Sequence, residues 1–254
     1  MEDAAELLYS IRSGQHLRVA ALPAELAAAN ETAAYRVQQS VLQKLGAGVS
    51  GWKASMPDAQ RGTSAPIASG NVLRSPALIS DLAHRTANTQ RFGIEPEIAF
   101  TFKQALPPLE GAEKYSRNQV LSAVASAHSA LEICVCRLKD FDTAQPLDRL
   151  ADGIMNEGLL LGGGVAGWSK LDLTQRRMVL QINGQTVHEG VGGHPIGDPV
   201  IPLLWIANHL SARGIGLKAG DAVTTGSCAG IHFVDAGQKA RVEFEGLGIA
   251  TITF

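Results

Sequence analysis

Glu95 and Glu97 stand two residues apart in the apolar stretch Phe92 to Phe102, with Ile94, Ile98 and Phe100 around them. In an extended strand, residues i and i+2 point to the same face, so these two carboxylates would stand side by side. Their repulsion raises a pKa unless a cation lies between them. Glu132, inside Ala130-Leu131-Glu132-Ile133-Cys134-Val135-Cys136, is a third carboxylate in apolar surroundings, where an isolated charge is costly. Three carboxylates with no histidine cluster suit a hard, oxygen-preferring ion, Mg²⁺ or Mn²⁺ before Zn²⁺. Such an ion keeps open positions for water or substrate oxygens. The spacing also fits a plainer arrangement, with Glu95 and Glu97 on the exposed face of an edge strand and Glu132 paired with Arg137 or a lysine.

The elements that must position these groups follow from pattern and punctuation. Glu2 to Ser13 reads as a helix through Leu7, Leu8 and Ile11, stopped by Gly14. A second helix starts at an Asn30 or Thr32 cap, turns Tyr35, Val37, Val41 and Leu42 inward, and ends before Gly46. Phe92 to Phe102 reads as a strand or strand pair. Ser116 and Gln119 form a capping box for a helix that would bury Val120, Val124 and Ala127. Ala130 to Cys136 and Leu159 to Gly164 read as buried strands. Met178 to Glu189 is a hairpin turning on Asn183-Gly184, Val200 to Leu210 an amphipathic helix, and Ala240 to Phe254 a closing hairpin. Helices first, then largely antiparallel strands with a few helices, define an α+β protein: a helical portion over residues 1–50 and a mixed-β portion over 51–254.

The bulk composition narrows the partners. The chain has 254 residues, 45% hydrophobic and 18% charged, in the range of an ordinary globular protein. Lysine and arginine total 22 against 24 acidic residues, so no basic surplus exists for nucleic acid or an anionic membrane. No run is long enough to span a bilayer, and the acidic start Met1-Glu2-Asp3 is unlike a secretory leader. The cysteines, Cys134, Cys136 and Cys228, are odd in number and lack CxxC spacing, so a reduced, cytoplasmic setting is expected.

Several segments together resemble the fumarylacetoacetate hydrolase superfamily, in its 2-keto-4-pentenoate hydratase and oxalocrotonate decarboxylase branch. They are Gly51-Trp52-Lys53, Ile94-Glu95-Pro96-Glu97-Ile98, Ala130-Leu131-Glu132, Arg137 with Asp140, and Leu150-Ala151-Asp152. Gly193-His194-Pro195, Gly220-Asp221 through Thr225-Gly226, and the hairpin at Glu245-Gly246-Leu247-Gly248 complete the set. The resemblance implies a compact mixed-β roll behind a small helical portion, a metal held by Glu95, Glu97 and Glu132, and an active-site lysine at Lys53. It also implies a substrate pocket lined by Thr225, Gly226 and the adjoining Ser227, and assembly as a homo-oligomer. The substrate would be a small 2-oxo or 2-hydroxy-dienoic acid. The implied reaction is hydration of a 2-hydroxy-alka-2,4-dienoate to a 4-hydroxy-2-oxo acid.

Two departures bear on the chemistry. Where the hydratases carry Asn-Ala-Ser after Leu-Ala-Asp, this chain has Asp152-Gly153-Ile154-Met155-Asn156-Glu157, so Met155 falls on the serine. A thioether neither donates a hydrogen bond nor relays a proton, which leaves Asn156 or Glu157 to take that place. After Lys53, the family's acidic residue before a glycine is replaced by Gln60-Arg61-Gly62. Decarboxylation or tautomerisation of an oxalocrotonate-like 2-oxo acid, which needs no water-activating serine, is the alternative. An inactive subunit in complex with a related active enzyme is another. His194 reads as structural, His232 as a residue within reach of the pocket, and His16 as a surface or packing residue. Cys134 and Cys136 read as small buried apolar residues.

Overall fold

A computed structural model describes residues 3–58 and 60–254. Helix α1 (Ala4–Arg12) is capped by Asp3, whose carboxylate accepts from Glu6 N at 2.7 Å. Glu2, taken above as the first residue of this helix, lies outside the described residues. Helix α2 (Glu31–Lys44) starts at an Asn30 cap, and Gly46 follows it at φ +64°. The expected capping box at Ser116 opens α3 (Arg117–Ala123), but the helix is short. Val124 and Ala127 are buried in the next strand instead, because the chain turns extended at Val124. Two more helices follow, α4 (Pro146–Ala151) and α5 (Val200–Ala212).

The strands form two mixed sheets. The larger holds β1 (Val49–Ser55), β2 (Thr63–Ala68), β3 (Val72–Arg74), β5 (Arg91–Phe102), β6 (Val124–Cys134), β7 (Asn156–Leu161) and β10 (Ala222–Ser227), in the order β2-β1-β10-β5-β6-β7-β3. Strand β11 (His232–Asp235) pairs with the first part of β5. The smaller runs β4 (Ala77–Leu78), β13 (Ile249–Thr253), β12 (Lys239–Phe244), β8 (Arg177–Ile182), β9 (Gln185–Val191). The Asn183-Gly184 turn has both residues at positive φ, +51° and +80°, as the β8–β9 hairpin requires. Strands β12 and β13 cover β6 and β7, burying Val242, Phe244, Ala250 and Ile252.

Two features depart from the sequence reading. Strand β6 starts six residues earlier than expected, at Val124, and ends at Cys134, so Cys136 falls outside it. Three strand pairs are parallel: β1 with β10, β3 with β7, and β4 with β13. Parallel neighbours need long crossovers, which local periodicity does not report. The helices α1 and α2 share a core with Leu150 and Ala151 of α4, closed by Leu7, Leu8, Ile11 and Tyr35.

Candidate functional site

Strand pairing brings the three glutamates onto one face. Strand β5 is interior to its sheet, paired on both sides, and Glu95 stands directly opposite Glu132 on β6. Glu97 follows two residues on. The exposed-edge arrangement is therefore excluded: Glu97 and Glu132 are buried, and the Glu95 side chain is 17% exposed. Lys53 reaches the same face because β1 runs parallel to β10, setting Lys53 beside Thr224, which is itself beside Ala99 of β5. Its Nζ lies 3.0 Å from Glu132 Oε2 and 3.4 Å from Glu95 Oε2, and donates to Ile154 O at 3.1 Å.

The carboxylates differ in how they are held. Asn156 Nδ2 donates to Glu132 Oε1 at 2.8 Å. Glu97 Oε2 accepts from Thr224 Oγ1 and, at 2.7 Å, from Gly226 N. Gly226 sits at φ +116°, a conformation that suits a residue without Cβ and turns its N–H onto Glu97. Glu97 Oε1 is buried with no partner, and Glu132 Oε2 has no hydrogen bond of good geometry although the Lys53 ammonium is near. Such orphaned acceptors are rare in native proteins and call for an explanation.

Electrostatics agree with an incomplete site. Burial, then Glu95, raises the Glu97 carboxyl above its usual range. Burial raises Glu132 much further, with Lys53 opposing and Glu97 and Glu95 adding to it. Burial opposes the charge of Lys53, yet Glu132 and Glu95 outweigh it and hold the ammonium well above its ordinary pKa. Three carboxylates thus face one ammonium, a formal excess of two negative charges that a single divalent cation cancels.

Cys134 joins this face. Its Sγ lies 3.6 Å from Glu95 Oε2, and one donor atom each from Glu95, Glu132 and Cys134 fall within 4.8 Å of one another. Burial, then Glu132, pushes the thiol well up, so it stays protonated. Its role exceeds that of a small apolar filler, and the two-residue step from Glu132 along β6 is the signal that placed it.

A cavity of about 570 Å³ opens beside the glutamates, lined by Lys53, Glu95, Glu97, Gly226, Ser227 and, on its apolar side, Phe141, Ile154 and Met155. Thr225 does not line it. Strand alternation turns Thr225 to the other side, where its hydroxyl donates to Ile98 O at 2.7 Å, and gives Thr224 the contact with Glu97. Asn156 also stands behind the cavity wall, so it orients Glu132 rather than meeting a ligand. His194 donates Nε2–H to Thr225 O at 2.8 Å and accepts from Ile196 N on Nδ1, a structural arrangement. His232 stacks edge-on to His188 away from the cavity, and His16 is exposed.

Residues 153–155 all have positive φ, 69°, 53° and 61°. For Ile154, a β-branched residue, this costs about 1–2 kcal/mol. The turn is held by a second charge cluster behind it. Arg137 Nε meets Asp152 Oδ1 at 2.6 Å, its Nη1 meets Glu157 Oε2 at 3.0 Å, and Arg12 Nη2 meets the same oxygen at 3.1 Å. The motif partner Asp140 is exposed and takes no part. The sequence reading missed this cluster, whose members lie up to 145 positions apart.

Residues 50–254 match the family model described as fumarylacetoacetate hydrolase C-terminal. Over 161 residues, 63% of this chain, the chain is 30% identical to a 2-keto-4-pentenoate hydratase of Burkholderia vietnamiensis. Over 154 residues, 61% of this chain, it is 30% identical to a 4-oxalocrotonate decarboxylase of Pseudomonas sp., covering 56% of that protein. The matched stretch spans about 60% of the length of the hydratase. The fold is that of a 4-oxalocrotonate decarboxylase from Pseudomonas putida G7 complexed with magnesium and adipate: TM-score 0.81 and 21% identity, over 98% of this chain and 95% of that one.

Proposed function

The chain belongs to the fumarylacetoacetate hydrolase C-terminal family, and on that premise we propose that it is a divalent-metal lyase hydrating a 2-hydroxy-alka-2,4-dienoate to a 4-hydroxy-2-oxo acid. The observation that carries this reading is the buried surplus of carboxylate on one face, with Glu97 Oε1 left without a partner. Glu95, Glu97 and Glu132 would hold Mg²⁺ or Mn²⁺, the hard ions their oxygens suit. Once bound, the ion supplies Lewis-acid stabilisation of charge on the carboxylate and keto oxygens of a 2-oxo acid. The hydratase and decarboxylase relatives and the magnesium-bound neighbour support the same chemistry.

The chain's own residues divide the remaining work. Lys53, held charged by Glu132 and Glu95, serves as a fixed cation beside a developing enolate rather than as a base. Ile154 O and the two carboxylates fix where its protons point. Asn156 keeps Glu132 in one rotamer, and Phe141, Ile154 and Met155 shield the hydrocarbon end of the substrate from water. Met155 in the wall, where the hydratases carry serine, favours a second reading. Decarboxylation of an oxalocrotonate-like 2-oxo diacid uses the same enolate stabilisation and asks no side chain to activate water.

We also assign residues 1–50 as a helical portion bracing a catalytic portion, 51–254, whose mixed strands close as a roll, in a cytoplasmic homo-oligomer. The test is direct. With Mg²⁺ or Mn²⁺ the protein should bleach the dienol absorbance of 2-hydroxypenta-2,4-dienoate, and Glu132→Gln should abolish the effect. Carbon dioxide release from 2-oxo-hex-3-enedioate without hydration would select the second reading. Silence in both assays with either metal would overturn the lyase assignment.

A further inference from the structure

The cavity beside the glutamates adjoins a second one of about 810 Å³, and the two share Ser55, Pro57, Phe141 and Ile154 as common walls. Cavities of roughly 300–1,000 Å³ hold drug-sized molecules, so the inner one alone already exceeds the needs of a five-carbon acid. The outer cavity is room for a longer chain.

One group there lacks a counter-ion. Arg149, in the last turn of α4, lines the outer cavity with its guanidinium 5.2 Å from the Phe141 ring centre. It is half-buried, and among the described residues it makes no ion pair. The other charged groups lining this cavity are otherwise engaged or in water. Arg61 is paired with Asp58 at 2.7 Å, and Glu31 is exposed. His209 is held neutral by burial, then by Arg213, its pKa pushed down to about 4. A planar guanidinium matches a carboxylate with two parallel hydrogen bonds, and a partly desolvated cation gains most from such a partner. Phe141 touches both ends of the passage: it walls the inner cavity and stacks under Arg149.

We propose that Arg149 receives a second, distal carboxylate, so that the substrate class is a 2-oxo or 2-hydroxy-dienoic diacid rather than a monoacid. The proposal rests on the metal-site reading, which puts the first carboxylate at Glu95, Glu97 and Glu132. The apolar stretch past Pro57, Phe141 and Ile154 then carries the hydrocarbon between the two anionic ends.

Calorimetry on the full, Mn²⁺-loaded chain tests it, with pyruvate as a probe too short to reach Arg149. A series of 2-oxo diacids (2-oxoglutarate, 2-oxoadipate, 2-oxopimelate) is compared with unbranched 2-oxo monoacids of equal chain length. At one length or more, the diacid should bind at least tenfold more tightly than its monoacid. Arg149→Gln should reduce that advantage to under twofold, and Arg149→Lys should keep part of it. Pyruvate binding by each variant reports that the inner site is formed. If pyruvate binds but diacids and monoacids are equal at every length, or Arg149→Gln leaves the advantage intact, the distal subsite is wrong and the metal site stands. If pyruvate does not bind the metal-loaded wild type, both fall together.

Discussion

Two buried charge clusters lie on opposite sides of the turn at residues 152–157, and they are built on different principles. Behind the turn, Arg12 and Arg137 face Asp152 and Glu157, two cations against two anions, with their oxygens further met by Thr86 and backbone donors. In front of it, Glu95, Glu97 and Glu132 face Lys53 alone, and two carboxylate oxygens lack hydrogen bonds. The balanced cluster is closed and structural; the unbalanced one waits for a cation. Asn156 belongs to both, its carbonyl accepting from Arg137 at 3.3 Å and its amide donating to Glu132 at 2.8 Å. A protein can bury charge for rigidity or for binding, and the count of opposite charges distinguishes the two.

Breaking the closed cluster should have the largest effect on stability. Arg137→Met strands Asp152 and Glu157, and urea unfolding should show a loss of about 3–5 kcal/mol; a loss well below 1 kcal/mol would mean the cluster is not the brace described. The open cluster should respond to metal instead. Mn²⁺ at 100 times its Kd should raise wild-type stability by about 2.7 kcal/mol, and the Glu95→Gln/Glu132→Gln double variant should show no such gain. Asn156→Ala sharpens the comparison because it touches both sides. It should weaken Mn²⁺ binding by about 10–100-fold, as loss of a group orienting a metal ligand does, while costing only about 1 kcal/mol in the same urea titration.

The smallest effect lies away from both clusters. His209, stacked on Trp205 at 4.5 Å, has a folded pKa pushed down to about 4, below its ordinary value of 6.5. Its contribution is therefore intact above pH 6.5 and declines as pH falls from 6.5 toward 4, because the unfolded chain takes up the proton first. His209→Gln should flatten that part of the stability profile measured by thermal melts across this range.

Much of the open cluster was legible in the sequence. A two-residue step in a strand fixes that Glu95 and Glu97 share a face, and the apolar run around Glu132 marks a carboxylate out of place. The same parity rule, applied to the Thr224 to Gly226 stretch, would have turned Thr225 away and brought Thr224 to Glu97. What stayed hidden depended on long-range pairing. Lys53 reaches the glutamates through the parallel contact of β1 with β10, some 170 residues apart, and the Arg12 to Glu157 contact joins the first helix to β7. Neither leaves a local periodic trace. The α3 boundary was missed because Val124 suits a helix face and a strand equally well, and pairing with β5 decides for the strand.

The central claim, that the unbalanced cluster is a divalent-cation site, is tested most directly by titrating the protein with Mn²⁺ and following free Mn²⁺ by electron paramagnetic resonance. Saturable binding of about one ion per chain is predicted, accompanied by proton release because burial and Glu95 raise the Glu97 carboxyl in the metal-free state. Both should vanish in the Glu95→Gln/Glu132→Gln double variant. Absence of saturable binding in the wild type, or binding unchanged in that variant, would contradict the account.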